Sequence, residues 1–334
     1  MKFVPALLAF TIAGSAVAAD QPWVTYEGKE GAGKGKHVVL LAGDEEYRSE
    51  EALPQLGKIL SQHHGFKSTV VFSISPQTGE IDPKTTNNQP GIEALATADV
   101  CIMLLRFRNW PAEQMKHFIS YFESGKPIIA LRTSTHAFDI QDKSSPFAKF
   151  HWKSTEGWIG GFGQHVLGET WVSHHGVHKK EATRGVIEAS AKDHPVLRGV
   201  QDIFGTTDVY EVKNLPKDAK VLVRGQVLAG MNPTDAPLPG AKNDPMMPIV
   251  WTREYKHESG KTNKILTTTM GSGTDFENEG LRRLVVNGAY WTTGLEDKIP
   301  AQANVSIVGE YKPSFYGFDG FIKGVKPSAH ELKQ

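Results

Sequence analysis

The feature that most constrains the fold is an alternation of short apolar runs with amphipathic segments. The apolar runs, each suited to a buried strand, lie at 37–43, 68–73, 100–105 and 127–131. The helix-like segments between them lie at 49–63, 92–97 and 111–124. Strands that alternate with helices form βαβ units, in which successive strands run parallel. The sequence therefore predicts a flavodoxin-like α/β fold, a mostly parallel sheet with helices on both faces.

The second half of the chain has a less regular pattern. Further strands are expected at 207–212, 220–227, 248–255 and 264–270, and a last helix at 277–292. Residues 139–183 are rich in Gly, Trp, Ser and His, which is typical of a long insertion, here over the carboxyl edge of the sheet. Such insertions often carry function.

The N-terminus has the pattern of a secretory signal peptide. Lys2 precedes an apolar run from Phe3 to about Ile12, and small residues follow at Ala16 and Ala18. The apolar run is too short to span a bilayer. We therefore predict a signal peptide over 1–19 and an exported protein, periplasmic or secreted. The α/β domain is then expected at 20–298, followed by an irregular tail at 299–334.

Composition excludes several classes of partner. The chain has 37 basic and 37 acidic residues, so no net charge favours nucleic acid or an anionic membrane surface. After the leader, no segment has the 18 or so uninterrupted apolar residues of a membrane span. The one cysteine, Cys101, lies in an apolar run and is expected to be a buried structural residue.

Polar residues follow several predicted strands at the point where each strand ends. Ligands of open α/β sheets bind beyond the carboxyl ends of the strands, so these side chains are candidate site residues. After the fourth strand come Arg132, Thr133, Ser134 and His136; the turns after the first and third supply Asp44, Glu45, Arg106 and Arg108. Carboxylates and guanidinium groups can bind the hydroxyls of a polar substrate. The alternative is structural, with arginines paired to carboxylates near a helix start.

The insertion contains a dense group of histidines. Four of the thirteen histidines in the chain, His165, His174, His175 and His178, lie within the nineteen residues from Gly160 to His178. Imidazoles bind metals such as zinc and transfer protons near neutral pH. Candidate ligands of a divalent metal are His165, His174 and His175, although the segment matches no strict zinc motif. Nearby tryptophans, including Trp171, could stack on sugar rings, or could simply pack in the core.

Several short blocks follow one another over residues 37–296. They are V-V-L-L-A-G-D, P-I-I-A-L-R-T-S-T-H, G-G-F-G-Q-H, K-D-H-P-V-L-R-G-V, T-D-V-Y-E, P-I-V-W and K-I-L-T-T-T-M-G. In this order and spacing they resemble the ThuA-like, or trehalose-utilisation, family. The resemblance implies the fold of class I glutamine amidotransferases. It also places Arg132 where those enzymes carry a cysteine nucleophile, and arginine cannot be a nucleophile, so glutaminase activity is excluded.

The resemblance further implies a carbohydrate substrate, particularly an oxidised (3-keto) glycoside. A 3-keto group acidifies the neighbouring C–H, so one base and one acid are enough to expel the glycosidic oxygen, with water added afterwards. His136 and His165 are the expected base and acid. Arg132 or Arg106 would stabilise the enolate, and Trp171 and Trp251 would contact the sugar. The alternatives are a non-catalytic carbohydrate-binding module and a metal-dependent hydrolase.

Overall fold

The computed structural model describes residues 21–332, so the leader predicted at 1–19 lies outside the described residues. Ten strands form one sheet: β1 (Trp23–Tyr26), β2 (His37–Gly43), β3 (Lys67–Phe72), β4 (Val100–Leu105), β5 (Ile128–Leu131), β6 (Thr183–Ile187), β7 (Phe204–Gly205), β8 (Lys220–Val227), β9 (Met247–Lys256) and β10 (Thr262–Thr268). The α-helices of this part of the chain are α1 (Ser49–His64), α2 (Ala112–Glu123) and α3 (Glu279–Thr292). None of them is long and apolar enough to cross a membrane.

The sheet has a parallel half and an antiparallel half. Its strand order is β1-β3-β2-β4-β5-β10-β9-β8-β6-β7, and the pairs from β3 through β10 are parallel. Every residue of β2 and β4 is buried, as in a sheet covered on both faces. The predicted α/β class is confirmed, while the pairs from β10 to β7 are antiparallel.

Helices cover both faces of the sheet. On one face α1 and α3 share an apolar core, to which they contribute Leu56 and Leu284. On the other face α2 contributes Phe118 and Phe122 to a core rich in aromatic rings. Cys101, in β4, is fully buried among these rings and apolar side chains, which is consistent with a structural role. The carboxyl ends of the parallel strands are therefore held rigidly from both sides.

The strand predicted at 207–212 is wrong, and the reason matters for the site. Residues 209–211 pair with the insertion and not with the main sheet. The backbone N–H of Glu211 donates to the Ser173 carbonyl oxygen, and the backbone N–H of His175 donates to the Val209 carbonyl oxygen, each at 2.9 Å. An isolated bridge joins His174 to Tyr210. The position on the sheet is taken by β6 and β7, which the sequence analysis did not predict.

The C-terminal tail packs on the turn that follows β2. The Arg48 guanidinium donates to the carbonyl oxygens of Phe315 and Gly317, at 3.2 and 2.8 Å. The Tyr316 ring stacks on Tyr47 with 5.2 Å between centroids. Residues 314–317 thereby form one border of the carboxyl edge, where the predicted site residues lie.

Candidate functional site

Strained backbone marks the carboxyl edge of the parallel strands. Arg48, Phe107 and Arg132 have positive φ angles of 62°, 53° and 39°, in the left-handed region that favours glycine. Phe107 and Arg132 follow the ends of β4 and β5, and Arg48 immediately precedes α1. Non-glycine residues in this region cost about 1–3 kcal/mol each and cluster at functional sites. Arg132 thus stands at a sharp strand-to-helix turn.

Arg132 is fully buried and holds Asp208 in place. Its guanidinium donates to Asp208 Oδ1 at 2.9 Å, and to the Asp208 and Thr269 carbonyl oxygens at 2.6 and 2.7 Å. It also lies against the rings of Tyr210 and Tyr47, 3.6 and 4.7 Å from their centroids. With no exposed surface, Arg132 cannot contact a substrate in this conformation. Arg132 therefore positions Asp208, and its burial does not favour the predicted contact with an enolate.

Asp208 bridges two imidazoles of the insertion. His174 Nδ1 lies 2.6 Å from Asp208 Oδ2, and His178 Nδ1 lies 3.1 Å from Oδ1. Glu46 Oε1 lies 3.2 Å from His178 Nε2. Within residues 21–332 no group hydrogen-bonds Nε2 of His174, whose side chain is 36% exposed. A carboxylate that accepts a hydrogen bond from Nδ1–H leaves the lone pair of a neutral imidazole on Nε2, as in an Asp–His dyad.

The charges of this cluster reinforce one another. Burial alone would raise the pKa of the Asp208 carboxyl, but Arg132 and the hydrogen bonds from His174 and His178 hold it well below its usual range. Hydrogen bonds to Asp208 and Glu46 raise the pKa of His178 to about 9, so that its ring is an imidazolium near neutral pH. Asp208 is therefore an anion across the physiological range.

His136 lies in an aromatic box beside this cluster. Its ring packs against Phe107, Trp152, Trp171 and Tyr210, with centroids 5.1 to 6.4 Å apart. Burial first, then the charges of Arg106, Arg132 and His174, lower the pKa of His136 well below 6.5, so the imidazole is neutral. Its Nδ1 is 3.2 Å from Thr135 Oγ1, and no other described group hydrogen-bonds the ring. The residue is 3% exposed, and its Nε2 has no hydrogen-bond partner among the described residues.

Three half-buried rings form a wall next to His136, which we call the aromatic wall: Phe107, Trp152 and Trp171. Trp152 lies 5.2 Å from Phe107 and 6.1 Å from Trp171, centroid to centroid. Trp171 also contacts His174 at 5.7 Å, so the wall continues to the Asp208 cluster. Exposed ring faces beside polar groups are the usual contacts of sugar rings.

Glu45, in the predicted acidic turn, forms ion pairs with the two predicted arginines of the next strand end, Arg106 and Arg108. Glu45 accepts hydrogen bonds from Arg106 and, at 2.8 Å, from Arg108. Arg108 is fully buried and also donates to three carbonyl oxygens and to Ser73, so its role is structural and not substrate binding. Arg106 keeps 17% of its side chain exposed and stacks on Phe107 at 4.4 Å. Of this group, Arg106 and Glu45 remain near the surface.

Asp44 and Thr133 are buried together under the site. Thr133 Oγ1 donates to Asp44 Oδ2, and Asp44 Oδ1 accepts the backbone N–H groups of Glu46 and Tyr47, at 2.7 and 2.6 Å. Burial and the neighbouring Glu45 raise the pKa of Asp44 to about 6. Both side chains have no exposed surface, which corrects their prediction as substrate ligands. They shape the turn that presents Glu46.

The structure separates His165, His175 and Trp251 from this group. The His165 ring stacks on Trp158 at 4.5 Å and contacts Tyr255 at 5.6 Å, and within residues 21–332 neither of these rings contacts His136 or His174. His175 Nε2 is 2.9 Å from the Lys242 carbonyl oxygen. Trp251 is fully buried and donates to the Leu167 carbonyl oxygen at 2.8 Å. The structure therefore does not bring the predicted acid, His165, or the predicted sugar contact, Trp251, together with His136 and His174.

Sequence reasoning missed Asp208 as a site residue and did not select His178 from the histidine group. Asp208 stands in T-D-V-Y-E, a block that supported the family resemblance, and a carboxylate directly before the apolar residues Val209 and Tyr210 is a usable signal. What could not be inferred was its partner. Contact between Asp208 and His174 requires the pairing of residues 173–175 with 209–211, which is a tertiary feature.

Within residues 21–332, one group of side chains could hold a metal ion. His174, His178 and Asp208 offer ligand atoms that all lie within 4.8 Å of one another. Two imidazoles and a carboxylate suit zinc or another divalent transition metal. This set replaces the predicted trio, because it includes His174 but neither His165 nor His175. A metal would replace the protons that lie between Asp208 and the Nδ1 atoms of His174 and His178.

The chain is similar to two ThuA-like proteins of known structure. A ThuA-like protein from Bacteroides uniformis is 16% identical, with a TM-score of 0.47 over 80% of this chain and 95% of its own. Another, from Parabacteroides merdae, is 15% identical, with a TM-score of 0.46 over 78% of this chain and 91% of its own. No curated protein matches the sequence. The family model described as trehalose utilisation matches residues 37–292, so the chain belongs to the ThuA family.

Proposed function

We propose that the protein processes an oxidised (3-keto) glycoside, with the Asp208–His174 pair as its proton-transfer group. The observation that carries this proposal is a partly exposed imidazole, His174, which a buried anion holds by Nδ1 and which contacts the end of the aromatic wall. Membership of a family described as trehalose utilisation supports a carbohydrate substrate. The aromatic wall supplies surfaces on which a pyranose ring stacks.

The proposed reaction begins with removal of the proton at C2, next to the 3-keto group. Nε2 of His174 accepts that proton, and the resulting imidazolium is stabilised by Asp208. The electron pair forms the C1–C2 double bond while the bond from C1 to the glycosidic oxygen breaks. The leaving oxygen takes the proton from His174, and water adds in a second step. No oxidant or reductant is consumed.

His136 is the group proposed to polarise the ketone. In the tautomer whose Nδ1 accepts from the Thr135 hydroxyl, the neutral imidazole carries N–H at Nε2. This N–H can donate a hydrogen bond to an enolate oxygen and so stabilise its negative charge. Trp171 and Tyr210 each contact both His136 and His174, so the two imidazoles border the same space. His136 replaces Arg132 in this role, and His174 replaces His165.

A second candidate is metal-dependent hydrolysis or elimination. It is favoured by the contact of Glu46 with His178 Nε2, because metal-bound imidazoles are commonly oriented by a carboxylate on the other nitrogen. Asp208, the carboxylate ligand of this set, is likewise oriented by a second residue, because the Arg132 guanidinium donates to its Oδ1. The two candidates exclude each other, since Nδ1 of His174 carries either a proton toward Asp208 or the metal. In the second, the metal supplies a Lewis acid or an activated water.

The experiment compares turnover of a 3-keto glycoside with that of the parent glycoside, before and after dialysis against a chelator. The Asp208–His174 proposal expects turnover of the 3-keto form alone, unaffected by the chelator. Loss of activity that zinc or manganese restores would favour the metal-dependent candidate. Binding of sugars without turnover of either form, with or without added metals, would replace both with a carbohydrate-binding module.

We further propose that the protein acts outside the cytoplasm, on the basis of the leader-like residues 1–19. Expression of the full chain with a C-terminal tag, followed by N-terminal sequencing of the periplasmic fraction, tests this. We expect a mature chain beginning near Asp20. A full-length chain found in the cytoplasm would contradict it.

A further inference from the structure

The C-terminal tail brings a buried aromatic ring to the Asp208 cluster. The Tyr316 ring lies 5.4 Å from the His178 ring and 5.2 Å from the Tyr47 ring, centroid to centroid. Its hydroxyl donates to the Thr206 carbonyl oxygen at 2.9 Å, so the ring is also held at its far end. The residues that match the family model end at 292. The tail is therefore an addition to the family domain that reaches its candidate site.

The backbone of the tail holds the turn that carries Glu46. The Gly317 N–H donates to the Glu46 carbonyl oxygen at 2.8 Å. The Arg48 guanidinium donates to the same oxygen at 3.1 Å and to the Gly317 carbonyl oxygen at 2.8 Å. The Glu46 carboxylate is in turn 3.2 Å from Nε2 of His178. The tail thus supports both the ring and the carboxylate that lie against His178.

The tail is itself fixed to α1 by a second set of polar contacts. Glu51 accepts the backbone N–H of Ser314 at 2.6 Å and the Ser314 hydroxyl at 2.5 Å. Nε of Arg48 donates to the same hydroxyl oxygen at 2.9 Å. Functional side chains keep their geometry when the residues behind them are locked by packing and hydrogen bonds of this kind. The position of His178 is therefore determined by the tail as well as by Asp208.

We propose that Tyr316 and Gly317 are positioning residues that hold the His178 imidazole in the Asp208 cluster. His178 shares the Asp208 carboxylate with His174, and the two imidazole rings are 4.9 Å apart. If His178 leaves Asp208, the carboxylate loses one of the donors that orient it, and His174 loses part of its own support. The effect on turnover rests on the proposed function, whereas the positioning of His178 does not.

The test uses the full-length protein and four substitutions in the tail. Tyr316→Leu removes the ring, and Tyr316→Phe keeps it as the rescuing variant. Gly317→Ala is a second disrupting variant in case the first does not fold, because φ is 151° at Gly317 and a Cβ there would meet the Lys179 ammonium at 2.7 Å. Tyr311→Leu is the matched control, because the Tyr311 ring packs on the core of α1 and α3 and its hydroxyl donates to the Gly273 carbonyl oxygen.

Two measurements are made on each variant. The first is the rate at which diethyl pyrocarbonate acylates each histidine in metal-free buffer, resolved by peptide mass spectrometry. Both ring nitrogens of His178 face carboxylates, so the ring must leave these partners before it reacts. His165, which lies outside the Asp208 cluster, is the internal reference. The second measurement is kcat and KM for a 3-keto glycoside.

We expect Tyr316→Leu and Gly317→Ala to raise the acylation rate of His178 about tenfold and to leave that of His165 unchanged. In both variants kcat should fall about 10- to 100-fold, with KM within about twofold of the wild-type value, as when a residue that orients a site from behind is lost. Tyr316→Phe and Tyr311→Leu should behave as wild type.

An unchanged acylation rate for His178 in both disrupting variants, or an equal rise in Tyr311→Leu, would overturn the positioning role. An active wild type whose kcat is retained in the disrupting variants would overturn it as well. If the acylation of His178 rises as expected but the wild type turns over no 3-keto glycoside, the positioning role stands and the proposed function fails.

Discussion

Two histidine neighbourhoods lie within one insertion and differ in what surrounds each ring. His174 and His178 lie on a buried carboxylate, Asp208, that Arg132 holds in place. His165, nine residues before His174, lies between Trp158 and Tyr255 and has no carboxylate partner among the described residues. Burial and the charges of Arg253 and Lys149 lower its pKa, so it is neutral.

The difference shows that the chemistry of an imidazole is decided by segments far away in the chain. The first neighbourhood receives Asp208 from the loop after β7 and Glu46 from the turn after β2. The second receives the rings of Trp158 and Tyr255 and the side chain of Arg253, which donates to the His165 carbonyl oxygen at 3.0 Å. The first can order a proton-transfer group or bind a metal. The second lines a cavity of about 1210 Å³ and has no carboxylate on its imidazole among the described residues.

The largest expected effect comes from removing the carboxylate of the first neighbourhood. Asp208→Asn leaves the Arg132 guanidinium buried without its counter-charge, and breaking such a pair costs about 3–5 kcal/mol of unfolding free energy. Turnover should fall by about 10⁴-fold because the tautomer of His174 is no longer fixed. Urea unfolding and steady-state kinetics measure the two effects.

Asp218→Asn is the matched change in the second neighbourhood. Asp218 pairs with Arg253 at 3.0 Å but is 48% exposed, so its loss should cost less than about 1 kcal/mol. Turnover should stay at the wild-type value. Equal destabilisation by the two substitutions would contradict the distinction drawn between the neighbourhoods.

A smaller effect is expected from the two tryptophans that contact these histidines. Trp171→Ala removes a ring of the aromatic wall and should weaken sugar binding by about tenfold, or about 1.4 kcal/mol. Trp158→Ala removes the ring that stacks on His165 and should leave sugar affinity unchanged. Calorimetric titration with one sugar measures both. A sugar site beside Trp158 would give the reverse result.

The two neighbourhoods should also differ in the pH dependence of stability. The pKa of His178 is raised to about 9, so the folded chain holds a proton that the unfolded chain releases, and stability falls as the pH rises from about 6.5 to 9. The pKa of His165 is lowered, so stability falls as the pH drops below 6.5. Urea unfolding of His178→Gln and His165→Gln in metal-free buffer should show each variant losing one of these slopes. Loss of the same slope in both would be inconsistent with the assigned partners.

The parallel half of the fold could be predicted because its strands are continuous apolar runs. The runs 37–43 and 100–105 became β2 and β4 with the predicted bounds. The antiparallel half was harder, because β6 is only half-buried and includes a glycine, while 207–212 looked like a strand but pairs with the insertion. A short sequence pattern does not reveal which distant segment will hydrogen-bond to the backbone N–H and C=O groups of a strand-like run.

The site could be located from the sequence more easily than its roles could be assigned. Residues at the strand ends, such as Arg132 and His136, do lie at the carboxyl edge. Whether a side chain there is buried or exposed depends on packing from other elements, and this is why Arg132 anchors Asp208 and does not face a substrate. The pairing of His174 with Asp208 required the folded insertion.

The central claim is that His174, and not His165, transfers the proton. The most direct test is the rate of elimination of a 3-keto glycoside by His174→Ala and His165→Ala, with folding checked by circular dichroism. The account predicts a loss of about 10²- to 10⁴-fold for His174→Ala and an unchanged rate for His165→Ala. A folded His174→Ala variant with the wild-type rate, or a comparable loss in His165→Ala, would contradict it.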